Sequence, residues 1–88
     1  DNHFNNFKLT YGCCCLRYLP NCKFIATNCD SSYPHRNGVK LPGSGSFVSA
    51  LQTASGRPPN HVCGKPNTFL LEKIVQEYHM DKERTVMV

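Results

Sequence analysis

The sequence contains no run approaching the ~20 consecutive apolar residues of a membrane-spanning helix, and its opening residues do not lead from charge into a short apolar stretch as a secretory leader does. It also lacks any block of lysines and arginines. Basic residues outnumber acidic ones ten to six, for a net charge of +4. Yet Lys8, Arg17, Lys23, Arg36, Lys40, Arg57, Lys65 and Lys73 stand singly, so no dense stripe is present to track a phosphate backbone. Neither a nucleic acid nor a membrane is an expected partner. Length excludes more: 88 residues make at most one small domain, with little core and little room for a multi-step enzyme. The 40% apolar content, with four tyrosines and five phenylalanines, is that of a soluble globular chain.

No Cys-x-x-Cys pair occurs among the six cysteines, so a four-thiolate zinc site lacks its usual chelating spacing. Cys13, Cys14 and Cys15 are consecutive in a stretch with helical periodicity, where neighbouring side chains diverge by roughly 100° and do not all reach partners in one small scaffold. The reading favoured is free thiols acting as small apolar side chains in a reducing, cytoplasmic compartment. Its rival is a non-enzymatic, cysteine-rich secreted binding module closed by disulfides.

Phe4, Phe7, Tyr11, Cys14 and Tyr18 recur at steps of three and four, which predicts a helix over 4–19 with that stripe buried and Pro20 as its stop. Lys23 to Thr27 reads as a buried strand feeding a polar loop. Residues 30–46 are rich in Ser, Pro and Gly and end in Pro42-Gly43-Ser44-Gly45-Ser46, a stretch suited to a linker between domains. A second helical stripe of Phe47, Val48, Leu51 and Ala54 is closed by Gly56. His61-Val62-Cys63-Gly64 follows as a short strand with His61 and Cys63 at or near the core. A third helix opens near Asn67 or Thr68 and buries Leu70, Leu71, Ile74, Val75 and Tyr78. The β-branched run Thr85 to Val88 predicts a central parallel strand, joined to the preceding one by a helical crossover.

Two places carry polar chemistry. Lys65 lies between a strand end and a helix start, where an ammonium and backbone donors converge on an anion in open α/β sheets; a solvated turn lysine fits the same position. Asn28 and Asp30, after the first strand, suit either a polar ligand or a turn that bonds its own backbone.

Val62-Cys63-Gly64-Lys65-Pro66-Asn67, the helix after it, and Asp81 to Val88 closely resemble the third motif region of the haloacid dehalogenase phosphatases. Phe24-Ile25-Ala26-Thr27-Asn28-Cys29-Asp30, Tyr33-Pro34 and Pro42 to Ser46 resemble more narrowly the p-nitrophenyl phosphatase branch, which includes phosphoglycolate and pyridoxal phosphate phosphatases. The likeness runs from Asp1, His3 and Phe4 to the last residue.

This resemblance implies an α/β fold made of two parts: residues 1–42 as the end of an α/β cap, and 43–88 as part of a Rossmann-like core. It implies a fragment of a magnesium-dependent phosphatase that hydrolyses small phosphomonoesters through an aspartyl-phosphate. Lys65 is then the catalytic motif lysine, and Asn28, Asp30 and Tyr33 belong to the cap loop over a small phosphorylated metabolite. A homodimer through the cap is a further implication. The family's nucleophile, its acid/base aspartate and its Gly-Asp metal motif have no counterpart among these residues, so the chain by itself is expected to be inactive and to bring no Mg2+ ligands. Cys29 also stands where relatives commonly carry Arg, which leaves the substrate open.

Overall fold

The computed structural model describes residues 3–88; Asp1, part of the resemblance, lies outside the described residues. Helix α1 (Asn6–Tyr18) starts at Asn5, whose side chain accepts a hydrogen bond from the Lys8 N–H at 2.9 Å, and ends before Pro20. Strand β1 (Ile25–Ala26) follows, then β2 (Ser32–Pro34) and β3 (Lys40–Pro42) as a hairpin, helix α2 (Ser44–Ser55), strand β4 (His61–Val62) and helix α3 (Phe69–Tyr78). β1 pairs parallel with β4, Ile25 opposite His61 and Ala26 opposite Val62. β2 pairs antiparallel with β3, Tyr33 opposite Leu41.

α1 and α2 lie side by side and run the same way. Phe4 meets Phe47 near their amino ends with ring centroids 4.7 Å apart, and Gly12 faces Leu51 so closely that a Cβ there would sit 3.2 Å from a Leu51 methyl. At the carboxyl ends, Ala54 O accepts from Arg17 Nε at 3.1 Å, from Arg17 Nη2 at 2.8 Å and from the Cys13 thiol at 3.2 Å. Arg57 does the reverse service for α1, donating to Leu16 O at 2.8 Å and to Cys22 O at 3.2 Å. Each helix thus has a last-turn carbonyl met by a guanidinium, which satisfies an acceptor the helix itself leaves open and sets positive charge at the negative end of its dipole. Because charge-assisted bonds to half-buried carbonyls carry the contact, Arg57→Ala is expected to lower stability by about 1.5 kcal/mol or more, with Arg57→Lys recovering part of it. Urea unfolding of the variants checks this; an unchanged midpoint would remove the clamp.

The core is small: Leu16, Phe24, Ala26 and Ser55 are buried, and the described chain has a radius of gyration of 16.2 Å. A compact domain of this length would have about 12 Å. The molecule is a slab 18 Å thick, and α3 with the segment after it projects from the α1/α2/β1/β4 unit.

Several sequence expectations change. The α1 stripe is rotated: Leu16 is buried and Gly12 and Cys13 face α2, while Phe7, Tyr11, Cys14 and Tyr18 are exposed. The 3–4 periodicity was real, but a helix apolar on two sides carries two such stripes, and a glycine offers no hydropathy to mark the close one. Pro42 to Ser46 is no free linker, since Gly43 and Gly45 are buried against the loop after β1. The α3 stripe forms as a stripe, yet Leu70, Leu71, Ile74 and Tyr78 stay exposed. His61 is exposed and Cys63 only half-buried. Thr85 to Val88 forms no strand among the described residues, and the parallel crossover runs instead from β1 through α2 to β4. A strand exists only with a partner for its backbone groups, and none of the described residues pairs with 85–88. The second helix agrees with expectation, ending at Gly56 in the left-handed region at φ 73°.

Candidate functional site

The site gathers where two parallel strands end. After β1 the chain turns at once: Asn28 Oδ1 accepts from the Asp30 N–H at 3.1 Å, so Asn28 closes the turn with its own side chain. The loop is then sewn to the first turn of α2. Gly45 N–H donates to Asp30 O at 2.8 Å, Gly43 N–H to Ser31 O at 2.9 Å, and Ser46 Oγ–H to Ser31 O at 3.1 Å. Only a residue without a side chain fits this seam. A Cβ on Gly45 would stand 2.3 Å from Cys29 O and 2.7 Å from Asp30 O. The same loop rises into the β2–β3 hairpin, which carries Tyr33 on its first strand, 44% exposed. At the hairpin's tip Asn37 and Gly38 both have positive φ, 59° and 73°, the conformation that tight two-stranded turns use.

From the other strand, Cys63 N–H donates to Ala26 O at 2.9 Å and carries the ladder one residue past β4. Gly64 then lies directly on the turn after β1, where an added Cβ would meet Asn28 Cβ at 2.7 Å and Thr27 O at 2.8 Å. Lys65 follows, exposed, with no hydrogen-bond or ion-pair partner for its ammonium among the described residues. Asn67 Oδ1 accepts from Phe69 N–H at 2.9 Å and helps to start α3 behind it.

Lys65 and the Asn28–Asp30 turn therefore share the carboxyl edge of one parallel pair, the edge at which open α/β sheets hold ligands. Tyr33 belongs to the same loop system one step further out. Sequence reasoning placed these residues at strand ends but missed what fastens them: the tight glycines at 45 and 64, and the hairpin, whose Asn37-Gly38 pair was legible as a turn signal inside the presumed linker. All six cysteines are free. Among the described residues no three His, Cys, Asp or Glu side chains gather to hold a metal ion, and no helix is long and apolar enough to cross a membrane. The residues present do not fit a Mg2+ site. An apolar groove of about 440 Å³ lies elsewhere, between α3 and residues 80–87, and is lined by none of the site residues named above.

No protein-family model matches the chain. Individual relatives do, over its whole length. Chronophin of Bos taurus is 41% identical over 88 residues, 100% of this chain and 29% of that protein. Glycerol-3-phosphate phosphatase of Homo sapiens is 41% identical over 90 residues, 100% of this chain and 27% of its own. Phosphoglycolate phosphatase 1A, chloroplastic, of Arabidopsis thaliana is 38% identical over 88 residues, 100% and 24%. Among solved structures, the 4-nitrophenylphosphatase from Thermotoga maritima superposes with a TM-score of 0.81 at 31% identity, covering 96% of this chain and 31% of that one. Glycerol phosphate phosphatase from Mycobacterium tuberculosis in complex with magnesium gives 0.77 at 32% identity, covering 90% and 23%. The chain spans less than a third of the length of each. Sequence and structure agree that it is similar to one segment of these phosphatases, the group that its motifs resemble.

Proposed function

We propose that this chain supplies the phosphoryl-binding lysine and the substrate-facing loop of a cytoplasmic phosphatase that hydrolyses small phosphomonoesters through an aspartyl-phosphate. The observation that carries the reading is the seat of Lys65, one residue beyond Gly64, which is pressed onto the Asn28 turn at the carboxyl edge of β1 and β4. An ammonium fixed there meets the negative charge that builds up as a phosphoryl group is transferred, and it does so without moving at the moment of reaction. The nucleophilic aspartate and the magnesium ligands would be supplied by residues outside these 88. Free cysteines are consistent with a reducing compartment. The 29% and 27% shares of chronophin and glycerol-3-phosphate phosphatase, and the magnesium in the Mycobacterium tuberculosis structure, support the same reading of a longer enzyme.

A chimera in which residues 3–88 replace the matching segment of the Thermotoga maritima 4-nitrophenylphosphatase tests it. Hydrolysis of p-nitrophenyl phosphate by the folded chimera is expected, and a folded chimera without turnover, beside an active parent, would overturn the proposal.

The hairpin is the proposed source of selectivity. Tyr33 stands on β2 with almost half of its surface open, on the hairpin that continues the loop after β1. In the chimera, Tyr33→His and Tyr33→Leu are expected to reorder turnover among phosphoglycolate, pyridoxal phosphate and glycerol phosphate while changing p-nitrophenyl phosphate hydrolysis less. An identical ranking across that panel would take Tyr33 out of the site.

A further inference from the structure

The β2–β3 hairpin closes on Asn37-Gly38, a pair with a chemistry of its own that the strand-edge site does not use. Asn37 is the only asparagine of the chain that is followed by glycine. The order matters because the backbone nitrogen of the next residue can attack an asparagine side chain. A glycine brings neither a side chain to block the approach nor a narrow range of φ to prevent it.

The other asparagines of the described residues are tied down. Asn5 Oδ1 accepts from Lys8 N–H at 2.9 Å, Asn28 Oδ1 from Asp30 N–H at 3.1 Å, Asn60 Oδ1 from Phe24 N–H at 2.8 Å and Asn67 Oδ1 from Phe69 N–H at 2.9 Å. Asn6 is the first residue of α1, and the N–H that follows Asn21 donates to Leu19 O at 3.3 Å. The Asn37 side chain, by contrast, is exposed and has no hydrogen-bond partner among the described residues, and a Cβ built on Gly38 would meet nothing within 4 Å. Between Ser32 and Pro42 the charged residues are Arg36 and Lys40, with no carboxylate. Nearby cations favour the anionic form of a group, here the amide nitrogen that must lose its proton before it attacks.

We infer that Asn37 is a site of spontaneous deamidation and isoaspartate formation in the folded protein. The deprotonated Gly38 nitrogen forms a bond to Asn37 Cγ; the bond from Cγ to Nδ2 breaks, and Nδ2 leaves as ammonia with the proton that the amide gave up. A cyclic imide results. Water adds to one of its two carbonyls and opens it, giving aspartate where the original chain path is restored and isoaspartate where the chain now runs through Cβ. Nothing is oxidised or reduced, and water is the sole co-reactant. Isoaspartate lengthens the backbone of a turn that relies on φ of 59° and 73° at Asn37 and Gly38, in a hairpin that sets Pro34 opposite Lys40. The hairpin is therefore expected to loosen while the β1–β4 pair keeps its register. Deamidation of this kind needs no phosphatase activity and stands apart from that reading.

Peptide mapping by mass spectrometry of the 88-residue chain held in mildly alkaline buffer tests it, with isoaspartate counted by a protein isoaspartyl methyltransferase and a labelled methyl donor. Asn37 is expected to convert before any other asparagine and to supply most of the product, with isoaspartate in excess of aspartate. Asn37→Ser is expected to lose the isoaspartate signal, with helix content unchanged in circular dichroism because the tip lies outside α1, α2 and α3. As product accumulates, the amide NMR signals of residues 32–42 are expected to double and those of β1 and β4 to stay single. An Asn37 that stays intact, that converts only after unfolding in urea, or whose replacement leaves the isoaspartate signal in place would overturn the inference.

Discussion

Lys65→Ala in the chimera with the Thermotoga maritima 4-nitrophenylphosphatase is expected to lower turnover about a hundredfold to a thousandfold, or about 2.7–4 kcal/mol of barrier, the usual cost of removing one preorganised electrostatic donor. The ammonium follows a glycine that lies on the neighbouring strand's loop, so its backbone has little freedom, and it has no carboxylate partner among the described residues to neutralise it. Charge presented in that way is fully available to a phosphoryl group. Lys65→Arg is expected to recover only part of the rate, because a planar fork does not reproduce a compact point charge in a confined site. Turnover at saturating substrate, with folding followed by thermal melt, decides the matter. Turnover of the alanine variant within a few-fold of the starting chimera would leave Lys65 an ordinary turn lysine.

Gly45→Ala is the substitution expected to disturb the protein most without touching a charged group. The new methyl would stand 2.3 Å from Cys29 O, 2.6 Å from its carbon and 2.7 Å from Asp30 O, and these are backbone atoms that do not swing aside. Relief requires the loop after β1 to lift from α2, which breaks the Gly45 N–H to Asp30 O bond of 2.8 Å. The cost is expected at the upper end of roughly 1–3 kcal/mol, the range for overfilled packing. In the same variant the Asn28–Asp30 turn moves with respect to Gly64 and Lys65, so the chimera's KM is expected to rise along with the loss in stability. Urea unfolding and steady-state kinetics on one preparation measure both. An unchanged midpoint and KM would show that the loop does not depend on this contact.

The sequence made the α/β character, the carboxyl end of α2, the start of α3 near Thr68 and the strand-end placement of Lys65 and Asn28 legible, because each leaves a local mark. Gly56 stops a helix, Asn67 and Thr68 open one, and short apolar runs bracketed by polar turns are strands. The rest was hidden for physical reasons. Which face of α1 meets α2 depends on Gly12, a residue that makes room rather than hydrophobic contact. The arginine clamps are long-range, joining positions about 40 apart in sequence, and nothing local announces that Arg17 and Arg57 reach the ends of each other's helices. Thr85 to Val88 has the composition of a buried strand, but composition states a preference for pairing and does not provide the partner. The hairpin at Asn37-Gly38 is the instructive omission: its turn signal was present, and the Ser-, Pro- and Gly-rich surroundings masked it.

If Lys65 acts on the phosphoryl group from the edge shared by β1 and β4, a crystal structure of the chimera with a bound phosphate analogue such as vanadate will show the contact. The Lys65 Nζ is expected within about 2.7–2.9 Å of an analogue oxygen, with the Gly64 backbone still seated on the Asn28 turn. An analogue bound in the chimera with Lys65 directed into solvent, or with another cation in its place, would contradict it.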